Sequence, residues 1–447
     1  MRTRTRRKLY LHFSECFSAS PRLCVILSLA LLAACSATRQ ERADPDLARE
    51  ISNIKAIDNH AHPVRWTAAG EPADRGFDAL PVESMEAESD PVAFRPGNAA
   101  LQDAHRAMYG GQSKPQVMAA KGAQYPAWVL DQMGIETMLA NRVEMGPSLD
   151  AARFRWVAYA DALIFPLDNF HLAARNPDRK GFFSLEDQLR GHYLEAVGLR
   201  QIPATLDEYL ARVVTPTLER QKQGGAVGEK FEAAYLRSLA FDSVDRADAA
   251  RVYGRFAATA AQSAPSEAEY KPLQDFLFRY IAAECGRLGM AVHIHTMAGA
   301  GGYFDVTGVN PLNLESVLND AGLRKTRFVM LHGGWPFIRE IAALLVKPNA
   351  YLDFSQQSLM LPPATLAGNL REWLELNPEK VLFATDAYPY SAEMGWEEAG
   401  YVASRNGREA LAMALTAMLR DGEISRARAS ELARMVLREN ARALYGL

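Results

Sequence analysis

Cysteine is scarce in this sequence, and most of it lies near the N-terminus. Of four cysteines in 447 residues, Cys16 and Cys24 lie within the first 34 residues, Cys35 ends an apolar stretch, and Cys285 is the single cysteine beyond it. A disulfide framework or a cysteine zinc site needs several cysteines within the folded domain. Both kinds of site are therefore excluded from residues 36–447.

An excess of positive charge is also missing. The chain has 50 Lys and Arg against 53 Asp and Glu, a net charge of −3. Residues 1–34 hold six positive charges and one negative charge, so the chain that follows them has a net charge of −8. Proteins that bind nucleic-acid phosphates show the opposite balance. We therefore expect no nucleic-acid partner and a small-molecule substrate instead.

The N-terminus has the order of features typical of an exported bacterial protein. Basic residues at positions 2–8 precede the apolar stretch "LCVILSLALLAAC", which is shorter than the about 20 residues that span a bilayer. The final "LAAC" resembles a lipobox. The pattern predicts a signal peptide over residues 1–34, lipidation of Cys35 and a polar tether over 35–46. The protein would then be a membrane-tethered lipoprotein on the periplasmic side; an ordinary signal peptide or an uncleaved anchor is the alternative.

Eight short apolar runs follow, separated by helical patterns. The runs are "KAIDNH" (55–60), "IETMLANR" (135–142), "WVAYADALIF" (156–165), "AVGEKFEAAY" (226–235), "MAVHIHT" (290–296), "RFVMLHGG" (327–334), "AYLDFS" (350–355) and "VLFATDA" (381–387). Helices are predicted between the later runs, in "NPLNLESVLNDAG" and "PFIREIAALLVKP". Strand and helix repeated eight times predict an α/β fold, a (β/α)₈ TIM barrel over residues 47–447. A doubly wound sheet would have fewer strands.

The domain is longer than the about 250 residues of a typical barrel. Two stretches between predicted strands account for the excess, residues 64–125 and residues 167–224. Both follow the carboxyl end of a strand. We expect them to be insertions that lie over the carboxyl-terminal mouth of the barrel and shape a substrate pocket.

Two histidines close the first predicted strand, in "AIDNHAHP". Residues i and i+2 of a strand point to the same face, so His60 and His62 project together and can share one cation. A single pair of this kind occurs often by chance, and by itself it is read more simply as two hydrogen-bonded polar side chains. The other strand ends decide between these readings.

Three further strand ends carry residues that can bind metals. His293 and His295 repeat the i, i+2 spacing, His332 ends the sixth strand and Asp386 ends the eighth. The carboxyl ends of barrel strands form the rim where active sites are built. Imidazoles and one carboxylate on this rim predict a site for one or two divalent ions. Zn²⁺ is the first expectation, with Mn²⁺ or Fe²⁺ as alternatives.

The order of these motifs resembles that of the amidohydrolase superfamily. More narrowly, the chain is similar to the amidohydrolase-related group that contains metal-dependent decarboxylases and the FluG/nodulin-type domains fused to glutamine synthetase. The segments that carry this resemblance are the H-x-H pair, "HIHTMAGAGGYFD", "NPLNLESVL", "VMLHGGWPF", "YLDFS", "VLFATDAYPYS" and "RENARALYGL". It is strongest after residue 285 and weak between residues 64 and 225.

The resemblance implies roles for individual residues. His60, His62 and His295 would bind metal, and Asp386 would bind metal or take a proton from water. His332 would bind a second metal or polarise the substrate. His293 has no counterpart in the motif, and its place on the strand predicts a position one layer below the metal ligands.

Lys230, on the fourth predicted strand, has two interpretations. Some superfamily members use a carbamylated lysine there to bridge two metals. An unmodified lysine paired with Glu229 or Glu232 is the alternative. In the related family a lysine is often followed by Ala-Tyr-Arg, whereas the segment "AAYLR" has one extra residue between the tyrosine and the arginine.

The metal site predicts a metal-activated water, and the resemblance to the superfamily implies a metal-dependent hydrolase that uses this water on a C–N, amide-like bond. Asp386 would take a proton from the water, and His332 would stabilise the negative charge of the transition state. Two alternatives stay open: a metal-dependent decarboxylase or other lyase on the same barrel, and a non-catalytic, metal-containing binding lipoprotein.

Overall fold

Eight parallel strands form the centre of the protein. The computed structural model describes residues 43–68, 70–81, 91–94, 97–257 and 264–447. The strands are β1 (Ala56–Ala61), β2 (Ile135–Asn141), β3 (Phe154–Tyr159), β4 (Ala226–Phe231), β5 (Ala291–His295), β6 (Arg327–Leu331), β7 (Ala350–Asp353) and β8 (Val381–Leu382). They pair in sequence order, each parallel to the next. This confirms the predicted (β/α)₈ TIM barrel.

Backbone hydrogen bonds bring β1 close to the segment that follows β8. The Asn59 N–H donates to the Phe383 carbonyl at 3.0 Å, and the His62 N–H donates to the Ala387 carbonyl at 2.8 Å. These bonds nearly close the barrel. They also place the carboxyl ends of β1 and β8 side by side, which matters for the site described below.

Helices fill the connections between strands. Between β1 and β2 the helices are Ala99–Tyr109, Lys114–Lys121 and Tyr125–Met133, with 3₁₀ turns at Val92–Phe94 and Gly122–Gln124. Between β3 and β4 they are Asp161–Ile164, Phe170–Ala173, Pro177–Ala196, Leu206–Tyr209 and Thr215–Gln223, with a π-helical segment at Leu210–Val214. These two connections include the segments 64–125 and 167–224.

The remaining helices precede β1 or follow β4. They are Pro45–Asn53, Arg246–Ala257, Glu267–Leu288, Glu315–Leu318, Ile338–Leu344, Gln357–Met360, Pro363–Leu376, Trp396–Arg420, Arg426–Arg434 and Asn440–Tyr445. Short 3₁₀ turns lie at Ala233–Tyr235, Pro311–Leu314, Ala321–Leu323, His332–Gly334 and Pro378–Lys380, and a π-helical segment at Met435–Glu439.

Local sequence explains where the long helix before β5 begins and ends. Ser266 and Glu269 form a reciprocal capping box at its start, which satisfies backbone N–H groups that the first turn leaves free. Gly289, with φ of 69°, ends it in the left-handed conformation that glycine adopts without strain. The strand β5, which carries two histidines, starts two residues later.

Several predicted elements end earlier than expected. The run 156–165 forms a strand only to Tyr159, and Asp161–Ile164 is helical. The run 226–235 is a strand only to Phe231. Apolar residues continue past both strand ends, interrupted only by Asp161 and Glu232, because the turns there are largely buried, so hydrophobicity does not mark the strand end. The helix predicted at 310–322 is divided into two 3₁₀ turns and the short helix Glu315–Leu318.

The interior of the barrel is filled at its amino end. Apolar side chains from six strands and the C-terminal helix pack there: Ile57, Leu139, Val157, Ala291, Val329, Leu331, Leu382, Ala441 and Leu444. Polar groups lie at the opposite, carboxyl end. Among the described residues, no helix combines the length and the hydropathy needed to cross a bilayer. The predicted signal peptide and Cys35 lie outside these residues, and the helix Pro45–Asn53 begins within the predicted tether.

Candidate metal centre

The carboxyl ends of the strands surround a cavity of about 430 Å³. Its lining residues come from eight different parts of the chain: His60, His62, Asp78, Pro91, Lys230, Glu232, Tyr235, His295, Ala298, Gly299, Ala300, Gly301, His332, Trp335, Gln356, Met360, Asp386, Tyr388, Tyr390 and Ser391. All but one of the side chains predicted for this site, that of His293, reach this cavity.

Three of these side chains converge closely. His60 Nε2 lies 3.1 Å from Asp386 Oδ1, and His62 Nε2 lies 3.6 Å from the same oxygen. The three candidate ligand atoms all lie within 4.8 Å of one another. Two donors on one Zn²⁺ ion, with bonds of about 2.0–2.2 Å, lie no more than about 4.4 Å apart. The two nitrogens and the oxygen therefore fit a divalent cation.

The surroundings of His62 leave its Nε2 free to bind a cation. His62 Nδ1 lies 3.0 Å from the Phe77 carbonyl, which can only accept a hydrogen bond, so Nδ1 carries the proton. Burial lowers the pKa of His62 to about 4, and the ring is neutral at pH 7. Its unprotonated Nε2 faces Asp386.

Beside His60 lies an amide, that of Asn141, whose oxygen has no hydrogen-bond partner among the described residues. Its Nδ1 lies 2.7 Å from Asn141 Nδ2, which also donates to the Ala61 carbonyl at 3.1 Å. Asn141 Oδ1 is buried and has no partner among the described residues. In this orientation the amide donates to Nδ1, which leaves the ring proton on Nε2. If the amide turned, giving up the bond to Ala61, Oδ1 would accept a hydrogen bond from the Nδ1–H and Nε2 would be free for a cation. Asn141 therefore suits a metal-bound His60.

His295 and His332 form a second pair of nitrogens across the cavity. His295 Nε2 donates to the Met297 carbonyl at 2.8 Å, and His332 Nδ1 donates to Ser355 Oγ at 2.8 Å. The other two nitrogens, His295 Nδ1 and His332 Nε2, lie 3.0 Å apart. Burial lowers the pKa of both rings well below the usual histidine value, so both are neutral. Two unprotonated nitrogens then face each other, an arrangement that a shared cation would stabilise.

A chain of buried hydrogen bonds fixes the orientation of the His332 ring. Ser355 Oγ donates to Asp353 Oδ1 at 2.6 Å and accepts from His332. Asn59 donates to Asp353 Oδ2 at 2.7 Å, and Tyr445 donates to Asn59 Oδ1 at 2.5 Å. The C-terminal helix is thus linked to a metal-site histidine through four side chains.

Replacing Ser355 with alanine is expected to weaken binding of a divalent cation about 10–100-fold, because His332 loses the acceptor that fixes its proton on Nδ1. A titration of Zn²⁺ against a competing chelator measures this. Ser358→Ala is the matched control, since Ser358 is a buried serine that donates to the Ala384 carbonyl and contacts no histidine in the described structure. Equal losses in both variants would contradict the prediction.

The structure places His293 outside the lining of the cavity. Its Nε2 lies 2.7 Å from the Tyr445 hydroxyl, and it does not line the cavity. Its Nδ1 is buried without a partner among the described residues. His293 therefore contacts the same tyrosine that supports the Asn59–Asp353 chain.

Lys230 points into the cavity from β4. Its Nζ lies 3.4 Å from His60 Nε2 and 3.7 Å from Glu232 Oε1. Glu229, on the opposite face of the strand, is not a partner; Glu232 is the nearer of the two predicted carboxylates. Carbamylation of Lys230 stays a prediction, and its position beside His60 fits either interpretation.

Asp386 is the acidic group that connects the two histidine pairs. Burial raises its pKa to about 7, an effect that the positive charge of Lys230 partly offsets. Asp386 Oδ1 is close to His60, and Asp386 Oδ2 lies 3.9 Å from His332 Nδ1. One carboxyl group therefore lies next to both candidate metal-binding pairs.

Backbone strain is concentrated at the cavity. Among the described residues, four that are not glycine have positive φ: Ser148 (68°), His332 (64°), Gln356 (56°) and Asp386 (56°). Three of these four line the cavity. Such conformations persist where the surrounding contacts enforce them, and they cluster at functional sites.

Several residues of the site were not predicted from the sequence. They are Asn59, Asp78, Asn141, Tyr235, Asp353, Ser355, Gln356 and Tyr445. Some had a usable signal, because Asn141 ends β2 and Asp353 ends β7, on the same rim as the histidines. Tyr445 lies in the segment "RENARALYGL", but nothing in that segment indicates that its hydroxyl reaches Asn59.

Comparison with known proteins gives a family and a set of relatives. A family model described as amidohydrolase matches residues 57–447. The protein fluG of Emericella nidulans (strain FGSC A4) is 30% identical over 230 residues, which is 49% of this chain and 26% of that protein. This chain therefore matches about a quarter of the length of that relative.

Solved structures share the architecture at low sequence identity. A protein from Lactobacillus casei ATCC 334, provisionally described as a metal-dependent hydrolase, has a TM-score of 0.62 at 18% identity and covers 90% of this chain and 97% of its own. Glucuronate isomerase from Caulobacter crescentus has a TM-score of 0.58 at 13% identity, with coverage of 91% and 96%. Uronate isomerase from Thermotoga maritima has 0.55 at 12%, with coverage of 90% and 96%. At these identities the likeness shows the fold alone.

Proposed function

The chain belongs to the amidohydrolase family, and from that premise we propose that it is a metal-dependent hydrolase acting on a C–N, amide-like bond of a small molecule. The observation that carries the proposal is the convergence of His60, His62 and Asp386 at the floor of a cavity. A carboxylate beside two neutral imidazoles is an arrangement suited to proton transfer next to a bound cation.

Individual residues of the site would have separate roles in binding the cation. His60, His62 and Asp386 would hold the cation, with His295 and His332 as the second set of nitrogen donors. A bound divalent cation would act as a Lewis acid and lower the pKa of water at the site. Zn²⁺ is the first choice for these nitrogen and oxygen donors, with Mn²⁺ and Fe²⁺ as alternatives.

The chain's own groups supply proton transfer and binding. Asp386 would take a proton from the attacking water and give it to the leaving nitrogen. His332 uses its Nδ1 proton in a hydrogen bond to Ser355, so it would stabilise negative charge on the substrate oxygen through a cation held together with His295 and not by donating a hydrogen bond itself. The cavity, about 430 Å³ and lined by Tyr235, Trp335 and Tyr388, has the size of a small-molecule site.

The test is product analysis in isotopically labelled water. Purified protein of measured metal content is incubated in H₂¹⁸O with a panel of carboxamides and N-acyl compounds, and the products are examined by mass spectrometry. One solvent oxygen in the acid product supports hydrolysis. Release of CO₂ without solvent oxygen would instead indicate a decarboxylase. Metal binding with no turnover of any compound would favour the non-catalytic binding protein.

We further propose that the protein is exported and anchored in a membrane by lipid on Cys35. The support is the order of basic residues, apolar stretch and "LAAC" in the sequence. Expressed in a bacterial host, the wild-type protein should partition with the membranes and the detergent phase. Cys35→Ala should lose lipid labelling, and Cys16→Ala, the control, should keep it. Labelling of the Cys35 variant would contradict the anchor.

A further inference from the structure

Gln356 occupies a strained turn directly after β7. Its φ is 56° and its ψ is −40°. The Gln357 N–H donates to the Ser355 carbonyl at 2.6 Å, so the turn spans only three residues. A three-residue turn with positive φ at its centre is rare and strained for any residue that has a Cβ atom.

Both neighbours of Gln356 are held by His332, which explains why the strain persists. Ser355 Oγ accepts from His332 Nδ1 at 2.8 Å, and Gln357 Nε2 donates to the His332 carbonyl at 2.7 Å. Asn369 fixes the other end of the Gln357 amide, donating to Oε1 at 2.9 Å. With residues 355 and 357 tied to one histidine, the backbone of residue 356 is forced to bend.

The strained turn directs one free side chain toward the cavity. Gln356 lines the cavity and is partly exposed, and its side-chain amide makes no hydrogen bond to any residue that the structure describes. Its two neighbours, by contrast, use their polar groups fully within the protein. Of the three residues in this turn, Gln356 is therefore the one whose side chain is available to hydrogen-bond a ligand in the cavity.

We propose that Gln356 determines specificity by hydrogen-bonding a neutral carboxamide group of the substrate. A carboxamide side chain offers one acceptor and two donors, which match the donor and acceptor of another amide. No arginine lies in the described part of the cavity wall, and its lysine, Lys230, is already paired with Glu232 at 3.7 Å, while Asp78 and Asp386 add acidic groups. The inference rests on the proposed function only in taking this cavity as the substrate site.

The first test measures strain by thermal unfolding. At ordinary positions glycine is less stable than alanine, because glycine loses more backbone freedom on folding. At position 356 the order should reverse: Gln356→Gly should melt about 1–2 °C above Gln356→Ala, since only glycine relieves the strain. Ser148, with φ of 68° and outside the cavity, is the matched control and should show the same reversal.

The second test measures recognition with benzamide, a neutral carboxamide. Isothermal titration calorimetry should show that Gln356→Ala and Gln356→Gly each weaken benzamide binding about tenfold, the loss of one well-placed hydrogen bond. Ser148→Ala and Ser148→Gly should bind it as the wild type does.

Three results would overturn the inference: no benzamide binding by the wild-type protein, unchanged affinity in both Gln356 variants, or a lower melting temperature for Gln356→Gly than for Gln356→Ala. Neither measurement requires turnover. A protein that does not hydrolyse amides could still bind benzamide through Gln356. Conversely, a hydrolase could bind its substrate without using Gln356. The two proposals can therefore be contradicted separately.

Discussion

Replacing Asp386 with asparagine is expected to lower kcat by about 10²–10⁴-fold while leaving the fold intact. The amide is the same size as the carboxyl group but cannot take up a proton at that position. Asparagine also tolerates the positive φ of 56° found at this residue, and the bond from the residue 386 N–H to the His60 carbonyl is unaffected. Kinetic assays of the substrate found by product analysis measure the effect.

The control for this variant is Glu393→Gln, which removes an exposed carboxylate from the same loop and should keep the wild-type rate. Melting temperature and metal content should be recorded for both proteins. An Asp386→Asn protein that retains kcat within about threefold would show that Asp386 does not transfer the proton.

Replacing His60 with alanine is expected to remove most of the bound divalent metal and to lower turnover by more than about 10²-fold. His60 Nε2 lies closest to Asp386 in the group of three, so its loss leaves two donors. Elemental analysis of the purified variant measures the metal directly. Dialysis of the wild-type protein against a chelator should abolish turnover, and added Zn²⁺ should restore it.

His293→Gln is the matched control for His60→Ala. Like His60, His293 is a buried histidine on a barrel strand, but its side chain contacts Tyr445 and does not line the cavity. Glutamine can keep a donor near the Tyr445 hydroxyl, so the metal content should stay at the wild-type value. If His60→Ala retained full metal content, the candidate centre would be misassigned.

Much of the barrel could be predicted from the sequence, because strands and their end residues leave local signals. Parallel strands buried on both faces read as apolar runs, and polar residues that interrupt them at the carboxyl end mark the rim. His60, His62, His295 and Asp386 were found in this way, and all four reach the cavity. The strand ends at Tyr159 and Phe231 were misplaced because the turns that follow them are also buried and largely apolar.

The supporting residues could not be predicted, because their roles depend on contacts across the fold. Tyr445 is 386 positions from Asn59 in the chain, yet the two side chains are hydrogen-bonded. The strain at Gln356 comes from bonds to His332, which follows a different strand, β6. No spacing rule in a single sequence encodes such pairs.

The sequence by itself determined the family, through the resemblance of its motifs, and it determined the strand order and most of the strand-end residues, which follow from short-range patterns of apolar and polar side chains. The tertiary structure decided which nitrogen of each histidine faces the cavity, because that depends on hydrogen-bond acceptors supplied by distant segments, such as the carbonyl of Phe77 for His62. It likewise decided that Glu232 lies beside Lys230 and that Gln356 is bent toward the cavity, because side-chain packing and hydrogen bonding fix these positions only when the barrel closes.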